Sequence, residues 1–98
     1  MAHLATVCAV DVGTSNIKAM WVSEALAPAA PPAARPSVLH APAPGRVEVD
    51  AEALWAEVLT ALRGAAGAAK GMRPEAIAIS NQRATALLVD GLGRPYGP

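Results

Sequence analysis

Six residues within eight consecutive positions carry groups suited to a phosphate chain: Asp11, Gly13, Thr14, Ser15, Asn16 and Lys18. Gly13 lets backbone approach a bulky anion closely. Turn amides and the Thr14 and Ser15 hydroxyls can donate to phosphate oxygens. Lys18 can set a positive charge on a terminal phosphate. Asp11 would repel phosphate unless a cation lay between them, so it implies Mg²⁺ held through water. The pattern is neither the glycine-rich P-loop nor the dinucleotide fingerprint. Asp-x-Gly-Thr also occurs as a plain strand and turn, so spacing alone leaves phosphate cradle and simple hairpin both open.

A second polar group, Ser80-Asn81-Gln82-Arg83, follows a short apolar run. Polar residues at a strand end are placed to face a cleft, and Arg83 offers a fork of donors suited to hydroxyl or carboxylate oxygens. Taken alone, the group also fits a solvated loop in which Asn81 makes a local turn bond.

The elements that must hold these two turns can be read from periodicity. Leu4 to Val10 is an apolar, β-prone run ending at Asp11 and Gly13, a buried strand followed by a turn. Ile17 to Ser23 reads as a second strand with Ile17, Ala19 and Trp21 on one face and Lys18, Met20 and Val22 on the other. The two runs with a short polar link predict a hairpin. The Ala/Pro-rich stretch at about 27–36 reads as a loop, because repeated proline suits neither helix interior nor central strand. Pro36 to Ala41 is expected to form a third, edge strand. Asp50 caps a helix whose Leu54, Trp55, Val58, Leu59 and Leu62 form an apolar stripe, with Gly64 and Gly67 closing it. Met72-Arg73-Pro74 is a loop. Ile77 to Ser80 and Thr85 to Val89 read as strands, with Asp90-Gly91-Leu92-Gly93 a turn.

Ninety-eight residues suffice for one small domain, and strands, one helix and more strands predict an α/β layer with a helix packed on a sheet. The chain is 53% apolar, but much of this is alanine, with no Phe, one Tyr and two Trp, so the core is expected to be thin. Eight basic residues balance eight acidic ones, leaving no net field to attract nucleic acid or an anionic membrane. No segment has the length of a membrane span, and the start reads as a strand rather than a signal peptide. The single cysteine, Cys8, reads as a small buried apolar residue, compatible with a reducing cytoplasm.

Three landmarks in register resemble the start of the FGGY carbohydrate kinases, most nearly the glycerol kinases and their relatives. These are Asp11-Val12-Gly13-Thr14-Ser15 with Lys18, Gly45-Arg46-Val47-Glu48-Val49-Asp50 leading into a helix with Trp55, and Ile79-Ser80-Asn81-Gln82-Arg83-Ala84-Thr85. The resemblance implies a ribonuclease-H-like layer of the actin/hexokinase/Hsp70 superfamily, with a mixed sheet and one main helix. It makes residues 1–98 the amino-terminal part of the family's first domain. ATP and a sugar or polyol would meet in a cleft completed by the remainder of the kinase chain.

By the same resemblance Asp11 helps organise Mg²⁺, Gly13, Thr14, Ser15 and Asn16 lie against the ATP phosphates, and Lys18 lies near the transferring phosphate. Arg83 contacts substrate hydroxyls, with Gln82 beside it. The family's catalytic aspartate falls beyond residue 98, so no catalytic base is expected here and the fragment is expected to be inactive alone. Glycerol kinases carry Glu at the position of Ala84, where it binds a substrate hydroxyl. Alanine cannot, so the acceptor is left open between glycerol and another polyol or sugar. The Met-His-Gly pattern of xylulose kinases is absent. The readings carried forward are a piece of a cytoplasmic ATP-dependent carbohydrate kinase and, as the alternative, a non-catalytic remnant serving as a small binding domain. A sugar-sensing regulator or acetate-type kinase fits Asn81-Gln82-Arg83 less well.

Overall fold

The computed structural model describes residues 6–82 and 85–97. Strand β1 (Thr6–Val12) and strand β2 (Asn16–Ser23) form the expected antiparallel hairpin, paired from Thr6↔Ser23 to Val12↔Ile17. β1 runs two residues further than the apolar pattern, carrying Asp11 and Val12 in the ladder. Strand β3 (Ala33–Pro36) pairs antiparallel with β2, and strand β6 (Ala76–Asn81) pairs parallel with β1, giving the order β3-β2-β1-β6. Strands β4 (Leu39–Ala43) and β5 (Arg46–Val49) make a separate two-stranded ribbon, and helix α1 spans Ala51–Ala68. This is a mixed α/β layer, as expected from the sequence.

Alternation assigns the faces. Cys8, Val10, Ile17, Ala19 and Trp21 share one face and are buried under α1, whereas Asp11, Lys18 and Ser80 lie on the other. The helix contributes Val58, Ala61 and Ala65 to this core, with Ala69 just past its end. Four of these nine buried apolar residues are alanines (Ala19, Ala61, Ala65 and Ala69), and the largest fully buried side chains are Ile17 and Cys8, so the core is thin. Burial pushes the Cys8 thiol pKa up. Arg35 on β3 reaches Glu57 on α1, Nε to Oε2 at 2.6 Å, and the guanidinium holds the Glu57 carboxyl below the usual carboxylate range.

Several sequence expectations are corrected. The loop expected at 27–36 ends in β3. Its prolines do not bar a strand, because Pro31 and Pro32 precede the ladder and Pro36 closes it on the sheet's edge. Pro36 to Ala41 is not the third strand of this sheet. The strand there is β4, which turns through Gly45 to pair with β5. Gly64 and Gly67 do not stop the helix. It passes through both and ends at the Ala69 cap, after which Lys70 and Gly71 take positive φ. A Cβ on Gly64 would lie 3.0 Å from the Ala33 Cβ, so the missing side chain lets α1 approach β3 closely.

Of the expected stripe, Leu54, Val58 and Leu62 pack on the core and Trp55 does not. Trp55 is 55% exposed, and small residues, Ala61 and Ala65, face the sheet instead. Thr85 to Val89 is not a ladder strand. Among the described residues its one β-bridge is Val89↔Pro95, closed by the Asp90 to Arg94 turn.

The crossover from α1 to β6 is pinned at its end. The Trp21 indole Nε1 donates to the Met72 carbonyl at 3.2 Å, the Thr6 hydroxyl to the Arg73 carbonyl at 3.0 Å, and the Glu75 amide to the Thr6 carbonyl at 2.8 Å. These bonds satisfy polar groups at the edge of the core and deliver β6 beside β1 in parallel. α1 packs on β2 and β3 but leaves Ile77 and Ile79 of β6 exposed at 59% and 69%.

Candidate functional site

Because β1 and β6 are parallel neighbours, their two carboxyl ends emerge side by side. The turn after β1 and the polar group after β6, remote in sequence, therefore share one edge of the sheet, with Asp11 opposite Ser80 and Val12 opposite Asn81. This is where an open α/β sheet presents ligand-binding groups.

The turn from Gly13 to Asn16 is tight. The Gly13 amide donates to the Asn16 carbonyl at 3.0 Å, so that amide is used inside the turn. A Cβ on Gly13 would sit 2.9 Å from the same Asn16 oxygen, closer than a Cβ contact allows. Glycine is thus required by close approach rather than by positive φ. Thr14, Ser15 and Asn16 are exposed, and the Ser15 carbonyl accepts from the Ser37 amide at 3.0 Å. Thr14 and Ser15 thus bring exposed polar groups to this end of the sheet.

Asp11 and Lys18 are cross-strand partners on the face away from α1, and both are exposed. With Ser80 they border a shallow cleft of about 430 Å³ whose floor includes Ala9, Met20 and Ala78. Among the described residues no group of three or more His, Cys, Asp or Glu side chains could hold a metal ion. Asp11 contributes one exposed carboxylate to this face.

Gln82, half-buried, joins the two turns. Its Nε2 donates to the Gly13 carbonyl at 3.1 Å, and its Oε1 accepts from the Thr85 hydroxyl at 3.1 Å. Gln82 and Thr85 also border a second hollow of about 390 Å³, walled by Val47 and Val49 of β5 and Leu54 of α1. Arg83 and Ala84 lie outside the described residues. The contact of Ser37 had no signal in the sequence, since it depends on a segment 22 residues away, and that of Thr85 is a local bond to Gln82 that the strand reading of Thr85 to Val89 passed over.

The chain matches the model of the FGGY family of carbohydrate kinases, N-terminal domain, over residues 6–98. It is 38% identical over 93 residues to an apulose kinase of Pectobacterium atrosepticum, covering 94% of this chain and 18% of that protein. It is 39% identical over 98 residues to a glycerol kinase of Rhodospirillum centenum, covering 97% and 20%. Among solved structures it superposes on a xylulose kinase from Rhodospirillum rubrum with a TM-score of 0.88 at 26% identity, covering 95% of this chain and 19% of that one. The chain thus spans about a fifth of the length of the relatives it matches.

Proposed function

Since the chain belongs to the FGGY family of carbohydrate kinases, as an amino-terminal domain, we propose that it forms one wall of the site of an ATP-dependent kinase acting on a sugar or polyol hydroxyl. The observation that carries this reading is the convergence of the Gly13 to Asn16 turn, with Asp11 at its base, and of Asn81 and Gln82 at one end of the sheet. A phosphate donor and a hydroxyl acceptor must meet at such an edge if one is to attack the other.

In this reading the exposed Thr14 and Ser15 amides and hydroxyls, with Asn16 beside them, hold the ATP phosphates, and Gly13 keeps the backbone low enough for them to approach. Lys18 offsets charge on the terminal phosphate. Asp11 orients Mg²⁺ through water, and the ion, when bound, neutralises charge that develops on the transferring group. Arg83 binds acceptor hydroxyls, next to Gln82 in the chain. The base that takes the hydroxyl proton is assigned to the part of the kinase beyond this chain, and its partner surface includes the exposed Ile77 and Ile79. The acceptor is a carbohydrate whose identity these residues leave open, because Ala84 offers no hydrogen bond. The proposed location is the cytoplasm. Among the described residues no helix is long and apolar enough to cross a membrane.

The test is ADP release from the complete kinase carrying this chain, over a panel of polyols and sugars. The expected result is turnover on at least one acceptor, abolished by Asp11→Ala with the fold retained. Arg83→Ala is expected to raise the acceptor KM more than it lowers kcat. Wild-type protein without turnover on any acceptor and without nucleotide binding would exclude the kinase reading. It would favour the alternative of a binding domain whose exposed Ile77 and Ile79 face a partner.

A further inference from the structure

The β1–β6 ladder ends at Val12↔Asn81, and Gln82 is the next residue. Its side chain does beyond that point what a backbone amide would do one step earlier, donating to the Gly13 carbonyl at 3.1 Å. The orientation of its amide is not arbitrary. A carbonyl can only accept, so Nε2 must face Gly13, and Oε1 is left to accept the Thr85 hydroxyl at 3.1 Å. Both halves of the amide are therefore engaged, one on each turn.

The bond to Gly13 has a geometric consequence. In a trans peptide the carbonyl and the following N–H point in opposite directions, and the described chain holds no cis bond. A Gly13 carbonyl held toward Gln82 therefore aims the Thr14 N–H away from β6, out of the turn. We propose that Gln82 is a positioning residue. It fixes the Gly13–Thr14 peptide so that the Thr14 amide is preset for a phosphate oxygen. Through Thr85 it ties that peptide to the chain on the far side of Arg83, so the phosphate turn and the acceptor segment share one anchor. This rests on the kinase reading above, and it gives Gln82 a role distinct from contact with the acceptor.

The test uses the complete kinase and measures the nucleotide Kd with Mg²⁺ and no acceptor, a readout independent of turnover. Gln82→Met, which fills the space without donor or acceptor, is expected to weaken binding about threefold to tenfold, the size of one lost neutral hydrogen bond. Gln82→Glu is expected to weaken it at least as much at pH 7.5, because a carboxylate cannot donate to the Gly13 carbonyl. A protonated carboxyl can, so the deficit relative to wild type is expected to narrow as pH falls through the ordinary glutamate range, about 4.3. Thr85→Val, which keeps the Gly13 bond, is expected to raise the acceptor KM more than the nucleotide Kd.

Wild-type Kd in both Gln82 variants, with a raised acceptor KM, would overturn the proposal and make Gln82 an acceptor contact while leaving the kinase reading intact. A Gln82→Glu deficit that ignores pH would also overturn it, since a packing defect has no proton to regain. Wild-type protein that binds no nucleotide removes the kinase reading and this inference with it.

Discussion

Gly13→Ala separates the functional role of the turn from its structural one. The added Cβ would lie 2.9 Å from the Asn16 carbonyl oxygen, and ordinary contact begins at 3.4 Å, so that oxygen must retreat by about half an ångström. The same oxygen accepts the Gly13 amide at 3.0 Å, so the retreat stretches this bond to roughly 3.5 Å and removes most of its value. Losing a neutral hydrogen bond costs about 0.5–1.5 kcal/mol. Replacing glycine where φ is not positive returns about 0.4–1 kcal/mol by restricting the unfolded chain. The net change in stability is therefore small, at most about 1 kcal/mol.

Activity responds differently. A misplacement of about 1 Å at a reacting centre costs about a hundredfold, so half of that displacement is expected to lower kcat/KM for ATP about tenfold. The assay is ADP release by the complete kinase at saturating acceptor, with thermal unfolding in parallel. A tenfold loss with a melting midpoint within a few degrees of wild type supports the phosphate cradle. Unchanged kcat/KM in a folded variant would refute it, and a collapse in stability would show that the turn is chiefly structural.

Other substitutions test the packing. Gly67→Ala meets open space in the last turn of α1 and is expected to stabilise it by up to about 0.5 kcal/mol, slowing hydrogen exchange of the amides there about twofold; Gly64→Ala, blocked by Ala33, is expected to give no such gain. Asp50→Ala removes the side chain that accepts the Ala53 amide at 2.9 Å, and is expected to cost about 1 kcal/mol, read as faster exchange in the first turn of α1. The backbone amide of Arg94, then that of Leu92, hold the Asp90 carboxyl below its ordinary range. A folded pKa below the unfolded one means that this contribution is present above the unfolded value of about 3.9 and is lost as pH falls through the folded one. The Leu92 and Arg94 amide resonances are thus expected to shift only in that acid window, and movement near neutral pH would refute the assignment.

Local pattern carried much of this molecule. The period-two alternation of Ile17, Ala19 and Trp21 specified the buried face of β2, because neighbouring side chains in a strand must point to opposite sides. Asp50 specified the start of the helix, because a short acceptor beside unpaired amides has few better uses. Gly13 to Ser15 specified a turn, since glycine and small polar residues interrupt a ladder. What the pattern missed depended on distant neighbours. Gly64 looks like a helix stop until Ala33 is seen against it, and β3 looks like a loop until its edge position is known. Thr85 to Val89 has strand composition, but composition does not supply a partner.

The site shows the same division. Residue types at Asp11, Gly13 and Lys18 named a phosphate chemistry from the sequence, and the family landmarks put it in register with Asn81-Gln82-Arg83. Only the tertiary structure decided that the Gln82 amide spans to the Gly13 carbonyl, 69 residues away. That bond exists because the α1 crossover returns the chain parallel to β1. Short-range residue preferences act over one or two turns of chain and do not determine the pairing that such a return creates.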